Sequence, residues 1–389
     1  MATYEISPLH GSGAKLSRPV ELFCFALLVV NVVFLATSWV QGSWLIGADG
    51  TAIFNDFVTI WAAGKMALAG HAAQAYDWTQ LKSVDESIVS SVSGYLVWPY
   101  PPTFLLAAAA LALLPYVTAF FVWVFGTFIV YLAIIRAVIG DRVGYFLAAG
   151  FPAVIANALV GQTAFLSAAL IGGALVFMDT QPIWAGLLLG LLTYKPHLGL
   201  LFPIALAVSG RWRVFFTAGI VAALLAAVSW AVFGSESWVA FASGISHSLV
   251  SDGSADWGKM QTVSGLIRAF GGGDTLAWSV QIGVTAIAAA AIAVVWRSSV
   301  AYEIKAAALG VAALLAAPHL LTYDLVILAV PLAFLFRLGR AHGFQQYELA
   351  GMGLACLLIF VFPFVEAPVG LAAVVVTAAL VANRALRAA

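Results

Sequence analysis

Residues 116–135 read YVTAFFVWVFGTFIVYLAII, twenty positions without a charge, closed by Arg136. Coiled at about 1.5 Å per residue, such a run reaches about 30 Å, the hydrocarbon thickness of a bilayer. The same signature recurs along the chain. Further candidate spans cover Val20–Val40, 143–158, 163–178, 183–193, 196–209, 214–233, 276–296, 302–317, 319–336, 346–363 and 367–384, about twelve in all, with 101–114 an extra short apolar helix. The first run exceeds a signal-peptide core of roughly 7–15 residues and lacks a small-x-small cleavage site, so it reads as an uncleaved span. Composition agrees: 63% of the 389 residues are apolar and 9% charged, against about 25% charged in an ordinary soluble domain. A soluble enzyme, a disordered chain and a secreted disulfide scaffold are excluded. Seventeen basic residues balance seventeen acidic ones, leaving no basic stripe for nucleic acid. Cys24 and Cys356 lie inside apolar runs and read as small hydrophobes.

The expected fold class is therefore an all-α polytopic membrane protein, one integral domain over residues 1–389. Lys15, Arg18, Arg136, Arg142, Arg211, Arg213, Arg297, Lys305, Arg337, Arg340, Arg384 and Arg387 collect on one side of this threading. Lys65, Lys82, Lys195, Lys259 and Arg268 fall on the other. The positive-inside bias puts both termini in the cytoplasm. Two hydrophilic segments, 43–100 and 234–275, are then outer loops. In the first, Phe57, Ile60, Trp61, Gly64, Met66 and Leu68 recur at near-helical spacing, which predicts an amphipathic helix in the outer interface.

Polar groups in hydrocarbon cost roughly 2.5–3.5 kcal/mol each, so each needs a reason. Here they gather at the outward turns: Gln162 after Gly161, Lys195 before Pro196-His197, and His319 with Tyr323 and Asp324 one turn on. Asp56 belongs to the same side. Each has a plainer reading, as helix cap (Asp56), turn residue (Gln162), snorkelling cation (Lys195), core imidazole (His319) or structural ion-pair partner (Asp324). Asp141, Asp179 and Glu348 read as solvated turn residues. With the second outer loop on the same side, five stretches meet at one level, which predicts a cavity open to the outer leaflet.

A carboxylate there can take a proton from an attacking hydroxyl. A Lys and a His at a helix break can hold a departing phosphate. Together they describe group transfer from a membrane-anchored phosphate to a hydroxyl acceptor. No P-loop, dinucleotide glycine pattern or HExxH is present. Asp252 and Asp256 form a possible cation pair in a Ser/Gly-rich loop. A transporter or lipid flippase is the rival class, although the polar groups lie outward and no half-to-half similarity is visible. A non-catalytic subunit of an envelope assembly is the third.

Asn55-Asp56-Phe57, Trp61 through Lys65, Gly70-His71 and Ala75-Tyr76-Asp77 resemble the outer-loop signature of glycosyltransferase family 87. Further landmarks follow in order: Tyr100-Pro101-Pro102 through Leu114-Pro115, Gly161-Gln162, Lys195-Pro196 with Arg211-Trp212-Arg213, Gln261 through Leu266, and His319 to Asp324. Met260 and Thr262 depart from the Asn and Ser that are frequent there. The resemblance covers about residues 50–340. It implies a C-type glycosyltransferase bundle in a bacterial plasma (inner) membrane, active on the extracytoplasmic face. It also implies a polyprenyl-phosphate sugar donor, mannose above all, and a lipid or glycan acceptor. The base is then expected at Asp56. Donor contacts fall to Lys195, His319, Gln162, Tyr323 and Asp324, and acceptor or loop contacts to Tyr100 and Gln261. No cofactor or metal is called for.

Overall fold

The computed structural model describes residues 18–89, 98–249, 257–365 and 367–388. Lys15, Asp252 and Asp256 lie outside the described residues. Among the described residues the regular structure is helical apart from an antiparallel pairing of Ser43–Trp44 with Ile46–Gly47 and isolated bridges at Ala52.

Among the described residues six helices are long and apolar enough to cross a membrane: Tyr116–Ile139, Trp212–Gly244, Asp274–Arg297, Thr322–His342, Glu348–Val365 and Val369–Ala388. The pair Val143–Ala149 and Val154–Val160, bent by 60°, makes a seventh if counted as one broken span. The Arg18–Val40 helix adds a 23-residue apolar rod. Phe216, Ile220, Leu224 and Val228, four residues apart on the Trp212 helix, are all exposed, as a lipid-facing stripe requires.

Helix length thus supports fewer spans than the expected twelve, and burial gives the reason. Ala164–Phe177 has 14 residues, about 21 Å of helix, and nearly every one of its side chains is buried. Tyr302–Ala316, of 15 residues, is similarly enclosed. These runs are apolar because they sit at the centre of the bundle. Hydropathy does not distinguish protein from lipid as the apolar neighbour.

The expected interfacial helix forms at Asp56–Leu68, but it is packed into the protein. Phe57, Val58, Ile60, Ala62, Ala63, Met66 and Ala67 are all buried, against the Pro102–Ala112 helix. Contact is closest at Gly64, where a Cβ would stand 2.1 Å from the Ala108 carbonyl oxygen and 2.8 Å from the Ala112 Cβ. Small residues allow this approach of two backbones. Gly64→Leu must separate the helices. The expected loss is about 1–3 kcal/mol of stability, read as a lower thermal midpoint in detergent; an unchanged midpoint would show that the crossing is loose.

The described residues of the second expected loop, 234–249 and 257–275, are largely helical. Gly234 (φ 76°, ψ 168°) kinks the Trp212–Leu249 helix, which continues and sets the Phe241 ring 5.9 Å from that of Tyr76. The two segments expected as outer loops therefore touch.

Residues assigned to the inner side also meet one another. Arg340 binds Asp141 at 2.6 Å, Arg211 binds Asp179 at 2.9 Å, and Arg337 lies 3.6 Å from Glu303. Asp141 and Asp179 are thus paired rather than merely solvated. Glu348 departs further from that expectation: it is buried and receives two bonds from Arg384, of 2.8 and 2.6 Å. Arg384 is 36 residues away, so sequence proximity gives no sign of the pairing.

Candidate active site

The first turn of the Asp56–Leu68 helix needs a cap, and Asn55 supplies it. Asn55 Oδ1 accepts from the Phe57 N–H (3.0 Å), and its Nδ2 donates to the Tyr116 hydroxyl (2.9 Å). With capping done by its neighbour, Asp56 is released from that role. Its Oδ2 instead accepts from Gln162 Nε2 at 3.0 Å.

Gln162 is aimed by the preceding residue. Gly161 ends the Val154–Val160 helix at φ 68°, with Phe120 and Phe57 so close that a Cβ would stand 2.7 and 2.8 Å from them. A left-handed backbone and the close approach both require glycine. Trp123 Nε1 donates to the Gly161 carbonyl at 3.0 Å and fixes the turn. Gln162 Oε1 then accepts from the Tyr100 hydroxyl at 2.9 Å. The series Tyr100–Gln162–Asp56 leaves the amide one consistent orientation, with its N–H group toward the carboxylate.

Tyr100 stands in an aromatic wall with Trp98 at 5.0 Å and Phe104 at 4.8 Å, and Phe104 stacks on Tyr194, again at 4.8 Å. Tyr194 is held by Ser167 (2.6 Å) and donates to the Thr163 carbonyl (3.2 Å). Its neighbour is Lys195, whose ammonium donates to Asp324 Oδ1 at 2.6 Å. Both partners are buried, their side chains 8% and 3% exposed. Asp324 Oδ2 accepts from the Leu321 N–H at 3.2 Å. Tyr323 places its ring 5.9 Å from the Lys195 nitrogen.

These two groups share one neighbourhood, since the charges of Asp324 and Lys195 both act on Asp56, and that of Asp56 on Tyr323 and Tyr100. Asp324 and Lys195 also act on His319. Enclosure by protein pushes the Asp56 carboxyl above its ordinary value, Asp324 adds to the rise, and the Gln162 bond and Lys195 oppose it.

Seven of the eight expected site residues therefore converge. Gln261 has a different task. It is buried; Nε2 donates to the Gly258 and Lys259 carbonyls (3.2 and 3.0 Å), and Oε1 accepts from the Gly370 N–H (2.8 Å). Its side chain ties its own 258–261 segment to the start of the Val369–Ala388 helix. Lys195, expected as a donor-phosphate contact or a snorkelling cation, is paired with Asp324, the structural ion-pair reading of that residue. Tyr194 and Ser167 lie in apolar stretches where nothing in the pattern marks them, although Tyr194 adjoins Lys195; Asn55 stands in the quoted Asn55-Asp56-Phe57 motif, but the sequence does not show that it, rather than Asp56, is the cap. Among the described residues no three His, Cys, Asp or Glu side chains group as a metal site would need.

The fold and these contacts define a helical membrane protein in which a hydrogen-bonded carboxylate lies within electrostatic reach of a buried ion pair. The sequence model of glycosyltransferase family 87 matches residues 98–321, more than half of the chain, and the chain belongs to that family. It is thus a membrane glycosyltransferase, acting between a sugar donor and an acceptor. The match includes Tyr100, Gln162, Lys195, Gln261 and His319, and stops short of Asp56, Tyr323 and Asp324. No curated protein and no solved structure matches the chain.

Proposed function

We propose that the protein transfers a hexose, with mannose the expected one, from a polyprenyl-phosphate donor to a hydroxyl of a lipid or glycan acceptor. The observation that carries this reading is the hydrogen-bonded Asp56 carboxylate within electrostatic reach of the Lys195–Asp324 pair. In the reaction Asp56 accepts the acceptor's hydroxyl proton. The acceptor oxygen bonds to the anomeric carbon from the face opposite the phosphate. The bond from that carbon to the phosphate oxygen breaks, its electron pair leaves with polyprenyl phosphate, and the anomeric configuration inverts. Lys195 meets the phosphate's charge, with Asp324 holding the ammonium in place beforehand. His319 and Tyr323 supply polar contacts to sugar or phosphate, and Gln162 keeps the Asp56 carboxylate turned to the acceptor.

A lipid-linked donor fits the apolar surroundings of the pocket, and polyprenol and membrane lipids would reach it from the bilayer. The reading also takes the pocket as extracytoplasmic, both termini as cytoplasmic in a bacterial plasma membrane, and the short buried helices as members of a C-type bundle of about twelve helices.

The test is purified protein in liposomes, given a panel of polyprenyl-phosphate sugars and envelope lipid extracts, with products read by mass spectrometry. One hexose added to an acceptor, with polyprenyl phosphate released in equal amount, is expected. Movement of solute or lipid without any glycosylated product would favour a transporter. The pH dependence is a second check. Asp56 works ionised, and its carboxyl is raised by burial. Transfer therefore falls on the acid side at a pH above the ordinary carboxylate range of about 4. Gln162→Leu removes the bond that opposes the rise, so its acid limb lies higher still. A limb at or below pH 4 in the unaltered protein would exclude Asp56 as the base.

A further inference from the structure

Behind the base-bearing turn lies a second carboxyl that the proposed reaction does not use. Asp85, on the Trp78–Ile88 helix, is 1% exposed, and neither of its carboxyl oxygens has a hydrogen-bond partner. Thr59, one turn beyond Asp56 on its own helix, is 5% exposed with its hydroxyl likewise unpartnered. The Thr59 hydroxyl is near enough to act on the Asp85 carboxyl as a donor. Asn55, which caps the same turn, is bonded to Tyr116, and the charge of Asp85 reaches Tyr116. The first turn of the Asp56 helix is thus seated from behind on a small polar cluster made of Asp85, Thr59, Asn55 and Tyr116.

Buried polar atoms are almost always satisfied, so orphaned ones call for an explanation. An ionised carboxylate here would be a buried charge without a counter-ion, because Glu86 beside it is also acidic and Lys82 is turned toward Glu86 at 3.6 Å. Tyr76, on the neighbouring Ala72–Tyr76 turn, spends its hydroxyl on the Tyr100 carbonyl. Thr59 can donate to an ionised carboxylate, but one hydroxyl does not replace a counter-ion, whereas the neutral acid carries no charge to compensate and can still bond Thr59.

We propose that Asp85 is a positioning residue: as the neutral acid it closes the seat behind the Asp56 turn, and its ionisation unseats that turn and switches transfer off. Burial pushes the carboxyl up to about 7, Thr59 holding it down and Glu86 pushing it further up, so the switch lies in the physiological range. The proposal rests on the glycosyl-transfer reading for its activity readout, and a stability readout stands apart from that.

In nanodiscs the unaltered protein is expected to lose transfer as pH rises past neutrality, roughly tenfold per unit beyond the transition. Asp85→Asn, neutral at every pH, is expected to match it at pH 6 and keep that rate at pH 8.5. Superimposable alkaline limbs would overturn the proposal. In the absence of any acceptor or donor, the thermal midpoints of the two proteins are compared across pH. A carboxyl raised by folding opposes the fold progressively as pH climbs from its unfolded value to about 7. The unaltered protein is therefore expected to lose midpoint relative to Asp85→Asn over that window, with the difference constant above it. Parallel midpoints overturn the proposal whatever the substrate is. Diverging midpoints with no transfer from any polyprenyl-phosphate sugar support the buried acid and count against the donor reading. If Asp85→Asn does not fold, Thr59→Val serves instead: losing the hydroxyl that holds the carboxyl down moves the alkaline limb to higher pH, and an unmoved limb overturns the proposal.

Discussion

Asp56→Asn is expected to leave the protein folded and to lower its rate of sugar transfer about 10²–10⁴-fold, the range for losing a general base. The substitution keeps size and shape. Asn55, not Asp56, caps the helix, so no capping energy is lost, and an Asn oxygen at the same place still accepts from Gln162. What disappears is the ability to take a proton. Donor binding, measured by protection of the protein against heat by polyprenyl phosphate, is expected to persist. A variant within threefold of full activity would remove Asp56 from the reaction. A variant that fails to fold would show that the carboxylate is structural.

The second large effect concerns the Lys195–Asp324 pair. Lys195→Met strands a carboxylate that is 3% exposed, and breaking a buried pair from one side costs about 3–5 kcal/mol. Lys195→Met combined with Asp324→Leu removes both charges, and apolar replacements of buried pairs are often close to neutral in stability. The double variant is therefore expected to recover most of the thermal midpoint and none of the transfer, because the contact for the phosphate is gone. Double and single variants of equal instability would show that the pair is not what couples these segments. Transfer near the normal rate in the double variant would exclude Lys195 from donor binding.

How much of this was legible in the sequence depends on what each residue costs in its surroundings. Gln162, Lys195 and Asp324 stand out because strongly polar groups are expensive inside apolar runs, and the same expense explains why the chain brings them together. Their pairing is not legible: Lys195 and Asp324 are 129 residues apart, and nothing local distinguishes a free cation from a neutralised one. Asp85 is hidden for the opposite reason. It lies in a hydrophilic stretch beside Glu86, where an acid attracts no notice, and only the packing of the Trp78–Ile88 helix against the Asp56 helix reveals it as buried. Gln261 looked like a contact for substrate because it sits in a family-like segment, yet its amide is spent on three backbone groups. At the level of the fold, 116–135 read correctly as a span because a 24-residue helix realises it. Residues 164–177 did not reach span length, since protein packed on every side produces the same apolarity as lipid.

The central claim is a single pocket with a proton acceptor on one side and a phosphate grip on the other. Its most direct test is a structure of the protein holding polyprenyl phosphate sugar, with Asp56→Asn used to prevent turnover. The account predicts phosphate density against the Lys195 ammonium and His319, with the anomeric carbon turned toward position 56. Phosphate bound elsewhere, or a sugar whose anomeric carbon faces away from position 56, would contradict it.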